Sequence, residues 1–263
     1  MATDLDGTLL RTDGTLDPRT LRALQRFEAA ATRPLLVLCT ARPARWLAPL
    51  AAAAGRHGLA VCANGGVIWS VHDEVVVEQF PLAIEVARQV VARLRDELPE
   101  GTWAVERAQA FGREPDYTPR WPVPDDTVVD AIDVLLSVPP VKLMLRHPHL
   151  TVGELAARAR ELVGHLVEVT YSSSEDALLE ISAAGVSKAS ALAALCAVRD
   201  IAPEEVMAFG DMPNDLPMLA WAGRGVAVAN AHPEVLAAAD EVTAANDEAG
   251  VALVLERLLA AHG

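Results

Sequence analysis

Near its start the chain reads Asp4-Leu5-Asp6-Gly7-Thr8-Leu9-Leu10, two carboxylates two residues apart followed by a glycine. Side chains alternate along a strand, so at a strand end both carboxylates point the same way, and Gly7 lets the backbone turn sharply after them. Such a pair can bind a hard cation through oxygen while one carboxylate attacks an electrophile and the other moves a proton. Taken alone, Asp-x-Asp-Gly is equally the composition of a surface turn. A second acidic cluster, Gly210-Asp211-Met212-Pro213-Asn214-Asp215, follows the apolar run 206–209. Ligands of open α/β sheets bind at the carboxyl ends of the strands, so the two clusters form one site if their strands are neighbours. Mg²⁺, which takes oxygen ligands and keeps several waters, suits a site of a few carboxylates plus a substrate phosphate.

The elements that must position these groups follow from the apolar pattern. Strand-length runs at 35–39, 59–63, 206–209 and 225–228 alternate with helical stretches at 17–31, 44–54, 187–199, 233–239 and 250–261. This is the rhythm of a parallel sheet covered by helices, and the expected fold class is α/β, a doubly wound (Rossmann-like) parallel-sheet core. Asp17-Pro18 supplies an N-cap and a first-turn proline for the first helix. The middle reads differently: a helix over 82–97, a strand over 102–106, a loop carrying Pro115, Pro119, Pro122 and Pro124, a short helix, a strand over 141–146, a helix over 151–163 and a strand over 166–171. Segments 75–80 and 178–181 read as the crossings into and out of an inserted α+β unit. The expected domains are 1–77 with 183–263, and 78–182. Only Met1, Ala2 and Thr3 precede Asp4, so the central strand is expected either to be clipped or to continue upstream.

Asp4–Leu10, the Thr40-Ala41-Arg42 that ends the second apolar run, Gly185-Val186-Ser187-Lys188 and Gly210–Asp215 together resemble the four motifs of the haloacid dehalogenase-like hydrolases. Within them the pattern is similar to the Cof-type phosphatases, which carry a large cap between the second and third motifs. Asn64-Gly65-Gly66 and Asn246–Val251 are further matches; Ala41 stands where the family often has glycine. The resemblance implies Asp4 as the nucleophile that forms an aspartyl-phosphate and Asp6 as the acid and base. Asp4, the Asp6 carbonyl and Asp211 would hold Mg²⁺. Thr40 and Lys188 would grip the phosphoryl oxygens beside Gly7, with Asn214 and Asp215 orienting the lysine or the metal's waters. The implied function is a phosphatase of a small phosphorylated metabolite, a sugar phosphate or phosphorylated cofactor. A phosphosugar mutase and a non-catalytic phosphoryl-ligand binding protein are the alternatives.

Elementary chemistry bears on several of these positions. Phosphoryl transfer needs positioning and charge stabilisation, which a divalent cation and one lysine supply. Lys188 opens a helix, where a cation is disfavoured unless an anion sits beside it. Thr40 suits an N-cap as well as a phosphate contact. Arg42 can touch phosphate or pair with an acidic neighbour. Asn64 can order the rim of the site or simply make a hairpin turn. Lys142, at the head of a strand in the inserted unit, is a candidate for a substrate anion, and Trp103, Phe111, Tyr117 and Trp121 either line a pocket or anchor the proline-rich loop. The histidines show no metal-ligand spacing.

Composition narrows the classes. The 263 residues carry 22 Lys plus Arg against 36 Asp plus Glu, a formal charge of −14. Such a field repels polyanions and anionic membranes, so neither nucleic acid nor membrane is expected as a partner. Cys39, Cys62 and Cys196 sit in apolar runs without metal-ligand spacing and read as buried free thiols, which fits the cytoplasm. A monomer or weak homodimer is expected.

Overall fold

The computed structural model describes residues 1–30, 34–50, 55, 58–173 and 176–261. Two compact units emerge, one made of 1–77 and 188–263 and the other of 78–187.

The first unit is an α/β sheet in the order β14-β13-β12-β1-β2-β3-β4-β5. Its strands are β1 (Ala2–Thr3), β2 (Val37–Cys39), β3 (Leu59–Cys62), β4 (Val67–Ser70), β5 (Val75–Gln79), β12 (Met207–Gly210), β13 (Arg224–Val228) and β14 (Glu241–Thr243). From β14 to β3 every pairing is parallel, and β4 folds back antiparallel on β3. β1, β2 and β3 are buried at every position. A parallel sheet needs cover on both faces, which is why these strands read as unbroken apolar runs. Two residues long, β1 still pairs on both sides, Thr3 standing opposite Phe209 and Leu38. The Asp4 N–H extends the ladder to the Phe209 carbonyl at 3.0 Å. The helices are α1 (Pro18–Glu28), α5 (Lys188–Ala197), α6 (Leu216–Trp221), α7 (Pro233–Ala238) and α8 (Gly250–Ala261). Asp17 caps α1 by accepting from the Arg19 N–H at 2.7 Å. The expected end of that helix at Ala31 lies outside the described residues. No described helix is long and apolar enough to cross a membrane.

Where a helix is expected over 44–54, the chain makes two short 3₁₀ turns, Ala44–Trp46 and Ala48–Leu50, and 51–54 lie outside the described residues. Pro49 is the cause, since it has no N–H for the helical ladder and its ring clashes with the preceding turn.

The second unit is a six-stranded sheet ordered β10-β11-β9-β6-β7-β8. It comprises β6 (Thr102–Glu106), β7 (Phe111–Arg113), β8 (Val128–Val129), β9 (Lys142–Arg146), β10 (Val167–Thr170) and β11 (Leu178–Ala183). Strand β7 and the edge strand β8 fall where only loop was expected. The helices are α2 (Ile84–Glu97), α3 (Ile132–Leu135) and α4 (Val152–Val163), the last started by a Thr151–Glu154 capping box. Alternation sorts the strands: Trp103, Val105, Leu143, Leu145, Leu179 and Ile181 join the helices in one core. On the opposite face Ala104, Phe111, Met144 and Tyr117 form a smaller cluster, so Phe111 and Tyr117 anchor the proline-rich loop. Segment 178–181, expected as a crossing, instead lies inside this sheet between β10 and β9. It is buried on both faces, and the chain leaves the unit after residue 187.

Lys142 corrects its sequence reading. It is buried, and its ammonium donates to Glu180 Oε1 at 2.6 Å, so its charge is spent within the sheet. Removing one partner of a buried pair strands the other charge at a cost of about 3–5 kcal/mol. Lys142→Met is expected to lower the denaturant midpoint of the second unit accordingly, read by urea unfolding.

Candidate active site

β1 lies in the middle of the first unit's sheet, so its carboxyl end is flanked by those of β2 and β12. These three strand ends deliver Asp4, Thr40 and Asp211, and both acidic clusters share the rim expected of them. After Asp4 the chain makes one wide turn, Leu5–Leu9, closed by the Leu10 N–H donating to the Leu5 carbonyl at 2.8 Å. Gly7 sits in that turn at φ +80°, and a Cβ there would lie 2.4 Å from Asp211 Oδ2. Glycine is required twice, for its backbone conformation and for the approach of the carboxylate.

Lys188, the first residue of α5, is the hub. The residue is 2% exposed, and its ammonium donates to Asp4 Oδ1 at 2.6 Å and Asp215 Oδ1 at 2.7 Å. The anions that a cation at a helix start requires are therefore the protein's own carboxylates. Asp215 in turn accepts from the Asp211 and Met212 N–H groups, both at 3.1 Å, which fixes the loop after β12. Thr8 donates to Asp211 Oδ1 at 2.7 Å.

Carboxylate oxygens of Asp4, Asp211 and Asp215 all lie within 4.8 Å of one another. Three buried carboxylates face one buried ammonium, and full ionisation would leave two negative charges in excess. Burial pushes the Asp4 carboxyl well above the usual range; Lys188 pulls it back, and Asp215, Asp211 and Asp6 push it further up. Asp211 is pushed up to about 7, by burial first and by Asp215 next, against the Thr8 hydrogen bond and Lys188. Burial lowers the Lys188 ammonium, but Asp215 and Asp4 outweigh it and the net shift is upward. A divalent cation is the charge this cluster lacks.

Around the cluster the other expected residues take specific places. Arg42 forks onto Asp6, Nε to Oδ2 at 2.7 Å and Nη2 to Oδ1 at 2.5 Å, so of its two readings the acidic neighbour is the one seen. The Asp6 carboxylate is thus outside the buried cluster and half exposed. The Thr40 hydroxyl accepts from the Arg42 N–H at 3.0 Å, an N-cap-like bond, while its carbonyl accepts from Asn64 N–H at 3.1 Å. Asn64 is both turn and rim: it adopts φ +56°, and its Oδ1 accepts from Asn214 Nδ2 at 3.1 Å. Asn214 Oδ1 is buried without a partner among the described residues.

Sequence reasoning missed three contributors. Thr8 lay inside the first motif without a role. Asn230 donates to the Gly7 carbonyl at 2.8 Å and accepts from Asn246 N–H at 2.9 Å, and Asn246 Nδ2 reaches the Leu10 carbonyl at 2.9 Å. Both asparagines brace the turn that follows Asp4. Asn246 belonged to a motif that could have pointed to it; Asn230 carried no local signal.

A largely parallel α/β sheet with a lysine, a threonine and three aspartates gathered at its central carboxyl edge defines a class of hydrolase. The family model for haloacid dehalogenase-like hydrolases matches residues 1–255, and the chain belongs to that family. It is 28% identical to the pyridoxal phosphate phosphatase YbhA of Escherichia coli, over 96% of this chain and 95% of that one. It is 29% identical to a phosphoglycolate phosphatase of Halorubrum lacusprofundi, over 98% and 96%. The crystal structure of a haloacid dehalogenase-like hydrolase from Bacteroides thetaiotaomicron matches with a TM-score of 0.76 and 26% identity, over 98% of each chain. The protein is thus an enzyme, a hydrolase of phosphate monoesters.

Gly7→Ala tests the packing of the site. Holding a Cβ at this left-handed position against a carboxylate costs roughly 1–3 kcal/mol, and the variant is expected to melt at a lower temperature than the parent in calorimetry.

Proposed function

We propose that this chain is a Mg²⁺-dependent phosphatase of a small phosphorylated metabolite that works through an aspartyl-phosphate on Asp4. The observation that carries the reading is the gathering of three buried carboxylates around the single ammonium of Lys188. Asp4, Asp211 and the Asp6 carbonyl would hold the cation, and Asp215, already engaged by Lys188 and two backbone N–H groups, positions the others. The cation, when bound, neutralises the developing phosphoryl charge and the repulsion between anionic nucleophile and anionic ester.

The residues then divide the work. Lys188 holds Asp4 in place and opposes charge on a transferring phosphoryl group. A free Asp4 oxygen attacks phosphorus as the bond to the leaving oxygen breaks. Asp6, which takes up a proton from solvent on leaving the Arg42 fork for the substrate, donates it to that oxygen. It then takes a proton from the water that cleaves the acyl phosphate. Thr40, beside the Gly7 turn, offers a hydroxyl donor, and Asn214 Oδ1 is an acceptor that calls for a donor from a bound ligand.

The named substrates of the relatives, pyridoxal phosphate, a phosphorylated cofactor, and phosphoglycolate, a phosphorylated hydroxy acid, support a small phosphorylated metabolite as the substrate class. The second unit is assigned the selection among them. Three buried free thiols support a reducing, cytoplasmic setting.

Turnover of p-nitrophenyl phosphate is expected to require added Mg²⁺, to cease in EDTA and to fall at least about a thousandfold in Asp4→Asn. Metal-independent turnover, or an Asp4→Asn enzyme as active as the parent, would overturn the reading. A second test uses pH. The raised Asp211 carboxyl binds its proton more tightly folded than unfolded, so the metal-free protein loses stability as pH rises from about 4 to about 7. Mg²⁺ must displace that proton, and its dissociation constant is expected to rise about tenfold from about pH 8 to about pH 6, measured by titration calorimetry.

A further inference from the structure

The loop between β13 and α7 holds both acidic clusters by their backbones. Asn230 Nδ2 donates to the Gly7 carbonyl at 2.8 Å, in the turn that follows Asp4, and two residues on the His232 N–H donates to the Asp211 carbonyl at 2.8 Å. The Asn230 amide has one satisfied orientation. Its Oδ1 accepts from the Asn246 N–H at 2.9 Å, which can only donate, and the Gly7 carbonyl can only accept, so a flipped amide would lose both bonds. Asn246 is itself buried and tied by its Nδ2 to the Leu10 carbonyl at 2.9 Å, at the far end of the same turn. The Gly7 carbonyl belongs to the peptide that leads into Thr8, whose hydroxyl donates to Asp211 Oδ1 at 2.7 Å. Gly7 also lies against the other oxygen of that carboxylate, where a Cβ would stand 2.4 Å from Asp211 Oδ2. Turning this peptide therefore displaces the hydroxyl that orients a buried carboxylate, and glycine, lacking a Cβ, resists such turning least.

We propose that Asn230 is a positioning residue for the cation: held in orientation by Asn246, it fixes the Gly7–Thr8 peptide, which through the Thr8 hydroxyl keeps Asp211 oriented as a metal ligand. This role rests on the metal-dependent reading of the site and deepens it with a residue outside the four motifs. Groups that orient metal ligands from one contact further out typically change metal affinity by about 10–100-fold when removed. Asn230 is exposed and uncharged. It adds nothing to the charge of the cluster, so its effect on a bound ion passes through the geometry it sets.

The test is calorimetric titration of the full chain with Mg²⁺, using the parent, Asn230→Ala, Thr8→Val and the double variant. Each single variant is expected to bind about tenfold more weakly than the parent. The double variant is expected to bind no more weakly than Thr8→Val alone, because the two residues act on Asp211 in series. Asn230→Asp keeps the acceptor for Asn246, loses the donor to Gly7 and adds a negative charge, which by attraction alone would tighten binding. An exposed charge is worth little, and weaker binding is expected. At saturating Mg²⁺ the turnover of p-nitrophenyl phosphate by Asn230→Ala is expected to recover to that of the parent, as a loss of affinity would and a misfolded site would not. Unchanged affinity in Asn230→Ala, additive losses in the double variant, tighter binding to Asn230→Asp, or turnover that stays low at saturating Mg²⁺ overturns the proposal and leaves the metal-dependent reading standing. A parent that binds no Mg²⁺ overturns both.

Discussion

The site depends on one electrostatic constraint: three carboxylates and one ammonium taken out of water together. Lys188 alone cannot balance Asp4, Asp211 and Asp215, and the raised carboxyl groups of Asp4 and Asp211 register the shortfall. An arrangement that is unfavourable without a ligand is prepared for one. The same crowding of carboxylates that disfavours the metal-free fold would favour a bound cation, and a cation there would make the rim acceptable to a phosphate ester in a chain whose net charge repels anions.

Holding these charges close requires backbone precision, which comes from the parallel sheet. β1 is only two residues long but is the one strand that meets both β2 and β12, so it brings Asp4 beside the loops of both. The turn after it is stabilised from a distance. Asn230 and Asn246 bond the Gly7 and Leu10 carbonyls, and Asp215 ties down the N–H groups after β12. Each of these is a side chain satisfying a backbone group that a sharp turn would otherwise leave without a protein partner.

The second unit handles charge by a different solution. Its sheet packs helices on one face, and on the other Lys142 pairs with Glu180 and Arg146 with Asp176, so that both cations of β9 meet a carboxylate brought in by a segment distant in sequence.

The sequence by itself carried the α/β rhythm, the inserted unit, the family resemblance and the residues of the four motifs, because apolar periodicity and strand-end chemistry are local properties. It misjudged 44–50, where Pro49 breaks an otherwise helical pattern, and 178–181, whose place inside a sheet depends on β9 and β10 as neighbours. It could not choose between phosphate and an acidic neighbour for Arg42, it offered Lys142 to a substrate anion where the fold pairs it with Glu180, and it could not find Asn230. Those outcomes rest on contacts between residues far apart in the chain, and only the folded chain sets which opposite charges and which unsatisfied backbone groups come within hydrogen-bonding distance.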